Sequence, residues 1–96
     1  MAKSGMKPTQ ALKLREEKGL EITKLQKMRV AKGLSQNDLA AITGVSVRRI
    51  QNYEQKTKKI EGARLDVLCD IAIALDCKIE DILEDKAVIA KIRMAK

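Results

Sequence analysis

The stretch Leu34-Ser35-Gln36-Asn37-Asp38-Leu39-Ala40-Ala41-Ile42-Thr43-Gly44-Val45-Ser46-Val47-Arg48-Arg49-Ile50-Gln51-Asn52-Tyr53-Glu54 decides the fold. Ser35 is a hydroxyl cap for a helix, and Asp38, three residues on, puts an acid in its first turn. Leu39 and Ala40 point inward; Ala40 is small because two helices crossing steeply at a short turn leave little room. Gly44 supplies the positive φ of that turn. Ser46 caps a second helix, on which Ile50 and Tyr53 face one side while Val47, Arg48, Gln51, Asn52 and Gln55 face the other. Two short helices joined by a glycine turn in this way make a helix-turn-helix.

The flanking sequence extends this to five helices. A first helix runs from about Thr23, its cap, to Lys32, with Gly33 suited to the left-handed residue just past the end. Leu25 and Met28 share its inner face, and Arg29 falls on the same side. After the loop 56–62, a fourth helix from about Ala63 to Leu75 carries Leu65, Leu68, Cys69, Ala72 and Leu75 at i, i+3, i+4, i+7 spacing. A fifth is expected over Ile79 to Glu84, with Ile79, Ile82 and Leu83. Residues 1–20 read as a flexible basic leader, 21–84 as the helical domain, and 85–96 as a tail whose Val88, Ile89 and Ile92 make it a candidate partner helix. No run alternates β-branched and polar residues between turn formers, so the class is all-α.

Composition narrows the function. Ninety-six residues suit one domain with a small core, and Tyr53 is the only aromatic residue. Residues 24–59 hold nine Lys or Arg against Asp38 and Glu54, a net +7, whereas 61–85 hold Arg64 and Lys78 against eight acids, a net −6. A basic half is the footprint of a polyanionic partner. With no His and only Cys69 and Cys77, the donors of a zinc site are lacking and no metal or other cofactor is expected. No paired carboxylates, phosphate-cradling loop or nucleophile–base pair suggests an enzyme. No apolar run reaches the ~18 residues of a membrane span, and the start lacks a secretory segment. The expected location is the cytoplasm, on the nucleoid.

In this order and spacing, Leu34-Ser35-Gln36, Leu39-Ala40, Gly44-Val45-Ser46, Ile50 and Tyr53-Glu54, followed by Ala72-x-x-Leu75 and Ile79-x-Asp81-Ile82-Leu83, resemble the Cro/C1-type (XRE-like) helix-turn-helix regulators. The resemblance covers about Ile22 to Leu83. It implies a five-helix, lambda-repressor-like bundle that binds operator DNA, often as a dimer. Two positions depart from the family pattern: Thr43 stands where an aliphatic residue is common, and Ile42 where a polar one is.

The chemistry of the second helix fits that implication. Arg48 suits bidentate contact to guanine, Asn52 suits adenine, Val47 can touch a thymine methyl, and Gln51 lies on the flank. Family members direct the positions matching Val47, Arg48 and Asn52 at base edges. Gln36 matches a family glutamine that meets the DNA backbone, where amides and helix dipole favour phosphate. Ser46, Arg49, Gln55, Lys56 and Lys58 surround the other end as phosphate-contact candidates. Arg29 and Glu54, both on otherwise inward faces, are expected to pair, since a lone buried charge is costly; the family commonly has such a bridge there. Tyr53 reads as core, because single-strand binders stack bases on several aromatics.

These readings converge on a sequence-specific regulator of double-stranded DNA. A single domain offers few base contacts, so a homodimer on a palindrome with half-sites one turn apart is expected. The alternative is a protein-interaction module, antitoxin-like or co-activating, that uses the acidic half and the tail.

Overall fold

A computed structural model describes residues 22–95, and the leader expected over 1–20 lies outside the described residues. The chain forms α1 (Lys24–Ala31), α2 (Gln36–Thr43), α3 (Val47–Glu54), a 3₁₀ turn (Ile60–Gly62), α4 (Leu65–Leu75), a second 3₁₀ turn (Ile79–Asp81) and α5 (Lys86–Met94). There is no strand among the described residues.

Each of the first three helices starts on a side-chain cap. Thr23 Oγ1 accepts from Gln26 N–H at 3.2 Å, and Ser46 Oγ accepts from Arg49 N–H at 3.1 Å. Ser35 and Asp38 cap reciprocally: Ser35 Oγ accepts from Asp38 N–H and Asp38 Oδ2 from Ser35 N–H, both at 2.9 Å. Gly44 ends α2 at φ +77°, its N–H donating to Ala40 O at 2.8 Å. A Cβ built there meets nothing within 4 Å, so backbone conformation, not space, calls for glycine.

The two departures from the family pattern both have a place. Thr43 Oγ1 donates to Leu39 O at 2.7 Å and accepts from Val45 N–H at 3.1 Å, tying the end of α2 to the turn. Ile42 points to solvent, 59% exposed. Neither disturbs the packing of α2 against α3 and α4. The core is aliphatic: Leu25, Leu39, Ile50, Ile71, Leu75, Ile82 and Leu83 are almost wholly buried, with Tyr53 and Ile60 at its edge.

Two expectations need correction. The face of α4 that is buried comprises Leu68, Ile71, Ala72 and Leu75, while Leu65 is 69% exposed and Cys69 only half-buried. Both sets satisfy i, i+3, i+4, i+7; the sequence admits two phases, and the helix starting at Leu65 after an extended Arg64 selects the second. The fifth helix is not at Ile79–Glu84. That segment makes one 3₁₀ turn, after which Glu84 N–H and Asp85 N–H donate to Glu61 Oε2 at 2.6 and 2.7 Å instead of to helical carbonyls. Ile82 and Leu83 are adjacent and both fully buried, which needs core on two sides of the chain and suits an irregular crossing better than a helix. The tail then forms α5, capped by Asp85 Oδ1, which accepts from Ala87 and Val88 N–H. Ile89 turns into the core and Val88 is half-buried.

Side chains and one backbone carbonyl from the acidic half fasten the ends of the bundle. Lys24 N–H donates to Glu84 Oε2 at 2.5 Å and Lys24 Nζ to Glu80 O at 2.9 Å, anchoring the start of α1. Arg93 Nε donates to Glu80 Oε2 at 2.9 Å, holding α5 to the same segment.

Candidate nucleic-acid interface

α3 has eight residues, and an α-helix with its side chains is about 10–12 Å across, which fits the roughly 12 Å width of the major groove. Its inner face is fixed by Ile50, Tyr53 and Glu54, all buried. The opposite face carries two ridges of i, i+4 neighbours: Arg48 with Asn52, and Val47 with Gln51. Arg48 is exposed, whereas Val47, Gln51 and Asn52 are half-buried. The structure thus brings the four base-contact candidates onto one side of one helix.

The same geometry qualifies two of them. Asn52 Oδ1 accepts from Thr57 Oγ1 at 3.0 Å, and Asn52 O accepts from Thr57 N–H at 3.0 Å. The carboxamide is therefore held with its oxygen toward the following loop and its NH₂ left to donate, so it suits a single acceptor better than the donor–acceptor pair of adenine. Gln51 Nε2 lies 3.4 Å from Gln36 Oε1, a long contact that draws Gln51 toward α2.

Beneath this face sits a buried charged cluster. Arg29 is 7% and Glu54 3% exposed. Arg29 Nε donates to Glu54 Oε2 at 2.6 Å and Arg29 Nη2 to Glu54 Oε1 at 3.0 Å, a bidentate pair. Arg29 Nη1 donates to Leu34 O at 2.8 Å. Gln36 Nε2 supplies a further donor to Glu54 Oε1 at 3.0 Å. Four donor–acceptor contacts so satisfy the two charges and tie α1, the α1–α2 turn and α2 to the end of α3. Sequence reasoning paired Arg29 with Glu54 but missed that Gln36 joins them, since nothing in a spacing of eighteen residues signals that contact.

The phosphate-contact candidates are spread around this helix. Gln36 opens α2, half-buried, its side chain bent toward Glu54. Ser46, Arg49, Gln55, Lys56 and Lys58 are exposed. Ser46 Oγ is already engaged in capping α3. Lys56 stands in the left-handed region at φ +62°, and its Nζ lies 3.8 Å from Glu84 Oε1. Gln36 thus meets the C-terminal half of α3 beside Gln51 and Glu54, the lysines follow that same end, and Arg48 lies in the first turn of α3.

A family model of the Cro/C1-type helix-turn-helix DNA-binding domain matches residues 24–87, two thirds of the chain. Comparison with curated proteins and with solved structures gave no match. The chain belongs to the Cro/C1-type, XRE-like helix-turn-helix family and is a DNA-binding protein of the transcription-regulator class. Among the described residues no helix is long and apolar enough to cross a membrane, and no group of three or more His, Cys, Asp or Glu is placed to hold a metal ion.

Proposed function

We propose that the protein is a sequence-specific regulator of double-stranded DNA that inserts α3 into the major groove and acts as a dimer on a palindromic operator. The observation that carries this is the division of α3 into two faces. Ile50 and the Arg29–Glu54 pair immobilise one, and Val47, Arg48, Gln51 and Asn52 populate the other. In this reading Arg48 reads guanine, Asn52 donates to a base acceptor and Val47 meets a thymine methyl, with Gln51 at the edge of the footprint. Gln36, Ser46, Arg49, Gln55, Lys56 and Lys58 clamp phosphates, which fixes the register of α3 on the duplex.

The dimer contact is assigned to the acidic half. Leu65, Leu68, Leu83, Val88 and Ile92 line an apolar groove of about 260 Å³ between α4 and α5, and Leu65 and Ile92 are already open to solvent. Covering such a groove with a second copy would spread α3 over two half-sites about 34–36 Å apart.

The test is a salt-matched gel shift on a site selected from random duplex. Arg48→Ala with Asn52→Ala should reduce discrimination between selected and random duplex by one bidentate contact, about 1–3 kcal/mol, and one single hydrogen bond, about 0.5–1.5 kcal/mol, while circular dichroism is unchanged. Undiminished discrimination in that folded variant rejects the base-reading assignment.

A further inference from the structure

α4 turns one face to the core and leaves another without cover. Leu65, Cys69 and Ile73 stand at i, i+4 and i+8, a ridge about 12 Å long along the helix. Leu65 is 69% and Ile73 76% exposed, and Cys69 is half-buried. Acids flank the ridge: Asp66 and Asp70, both exposed, directly follow Leu65 and Cys69, and Asp76 lies three beyond Ile73. Asp66 meets Arg64 at 3.2 Å and Asp76 meets Lys32 at 3.8 Å, both at the surface, and Asp70 has no partner among the described residues. Such surface pairs hold little energy, so the acids stay available. An apolar ridge edged by acids fits a segment whose apolar side chains share a face with cations.

The chain itself contains such a segment. Thr9-Gln10-Ala11-Leu12-Lys13-Leu14-Arg15-Glu16-Glu17-Lys18-Gly19-Leu20 repeats Thr23-Lys24-Leu25-Gln26-Lys27-Met28-Arg29-Val30-Ala31-Lys32-Gly33-Leu34 at six of twelve positions. The shared residues include those that begin and end α1: Thr23, whose Oγ1 accepts from Gln26 N–H, and Gly33, at φ +73°. The start and stop signals of one helix are thus written twice. The copy does not fit the seat of α1. Leu25 and Val30, 1% and 5% exposed, are replaced by Ala11 and Glu16, which would open a cavity and bury a lone carboxylate there. At 3.6 residues per turn, Ala11, Leu12, Leu14, Arg15 and Lys18 fall within one arc of about 160°, and Lys13, Glu16 and Glu17 fall outside it. Two leucines and two cations share one side, and both acids take the other.

We propose that residues 9–18 of the same chain dock as a helix on the ridge of Leu65, Cys69 and Ile73, with Arg15 and Lys18 toward Asp66 and Asp70. The Lys32–Asp76 contact places the far end of α1 beside the end of α4. A ten-residue helix is about 15 Å long and residues 20–22 add up to about 10 Å, against about 12 Å for α1, so the segment can reach the ridge. Neither the DNA-reading assignment nor the dimer groove enters into this docking.

Cys69, in the middle of the ridge, supplies a native thiol for the test. In the full-length protein carrying Cys77→Ser, a second cysteine is introduced by Ala11→Cys or Leu14→Cys on the docking arc, and by Lys13→Cys or Glu17→Cys opposite. Each variant is equilibrated in a glutathione redox buffer. A helix seated on the ridge holds the first two positions near Cys69, so at least one of them should form an intrachain disulfide about tenfold more favourably than either of the other two. Ile73→Ser with Asp70→Asn, both at exposed positions, should erase that preference while the thermal melt shows the domain folded. A tether without a seat gives all four positions similar disulfide yields; that result, or no disulfide at any position, overturns the docking. A preference that survives Ile73→Ser with Asp70→Asn overturns the ridge as its seat. A disulfide formed between two chains overturns it as well, assigning the ridge to a second copy.

Discussion

At the scale of single residues, the Arg29–Glu54 pair sets the largest energetic stake. Removing one partner strands the other charge where neither water nor a counter-ion reaches it, which costs about 3–5 kcal/mol. Glu54→Ala should therefore lower the urea midpoint sharply, because it abandons the Arg29 guanidinium and frees the Gln36 carboxamide together. Arg29→Met with Glu54→Leu should recover most of the loss, since a buried pair replaced by apolar side chains is often neutral. If Glu54→Ala melts like wild type, the cluster contributes nothing to the fold. Cys77 offers a second residue-scale expectation. Burial pushes its thiol above its ordinary 9.0, Asp81 and Asp76 add to this, and Lys32 opposes it. The thiolate is the reactive form, so alkylation of Cys77 in the folded protein should run slower than after unfolding at the same neutral pH. The sign of the linkage follows: the folded state holds this proton more tightly than the unfolded one, so the contribution is intact below pH 9.0 and declines as pH rises through the higher folded value.

At the scale of elements, the turns and caps are where conformation alone is at issue. Gly44→Ala forces a Cβ into φ +77° with no clash to relieve, so the cost should be the left-handed penalty itself, about 1–2 kcal/mol by thermal denaturation. The reverse holds at Asp76, which ends α4 at φ +52° and makes only a 3.8 Å surface contact with Lys32. Asp76→Gly should stabilise by up to about 1 kcal/mol, with an unchanged or lower melting temperature counting against it. These are also the features most legible in the sequence. Ser35, Ser46, Thr23 and Gly44 act through neighbours within four residues, so their local pattern suffices to place α1, α2 and α3. The ends of the bundle were not legible for the converse reason. The 3₁₀ turn at Ile79–Asp81 is followed not by helix but by two N–H groups that Glu61 takes from more than twenty residues away. The phase of α4 was ambiguous between two equally periodic faces. For the candidate site, the outward face of α3 follows from helical geometry alone, but the contact from Thr57 that orients Asn52 depends on the irregular turn that follows α3, and the one from Glu54 that bends Gln36 arises only once separate helices meet.

At the scale of the whole molecule, charge is divided: the segment bearing α1 to α3 and the following loop carries net +7, the segment from Glu61 to Asp85 net −6. In the proposed mode of binding, that division turns the acidic half and the α4–α5 groove away from the phosphates, where a second copy is proposed to dock. The salt dependence of binding can count the copies. Each phosphate neutralised contributes about 0.9 to the slope of log K against log salt concentration on B-form DNA. Lys58 lies outside the base-reading face, so Lys58→Gln removes one phosphate contact per protomer and leaves sequence reading intact. If one protomer binds, the slope should fall by about 0.9; if two bind a palindrome together, each loses its Lys58 and the slope should fall by about 1.8. The comparison needs the wild-type and variant slopes on the same duplex, with light scattering of the complex as an independent count. A fall of about 1.8 alongside the mass of two chains supports the dimer. The single decrement alongside one chain rejects it, and an unaltered slope removes Lys58 from the phosphate clamp.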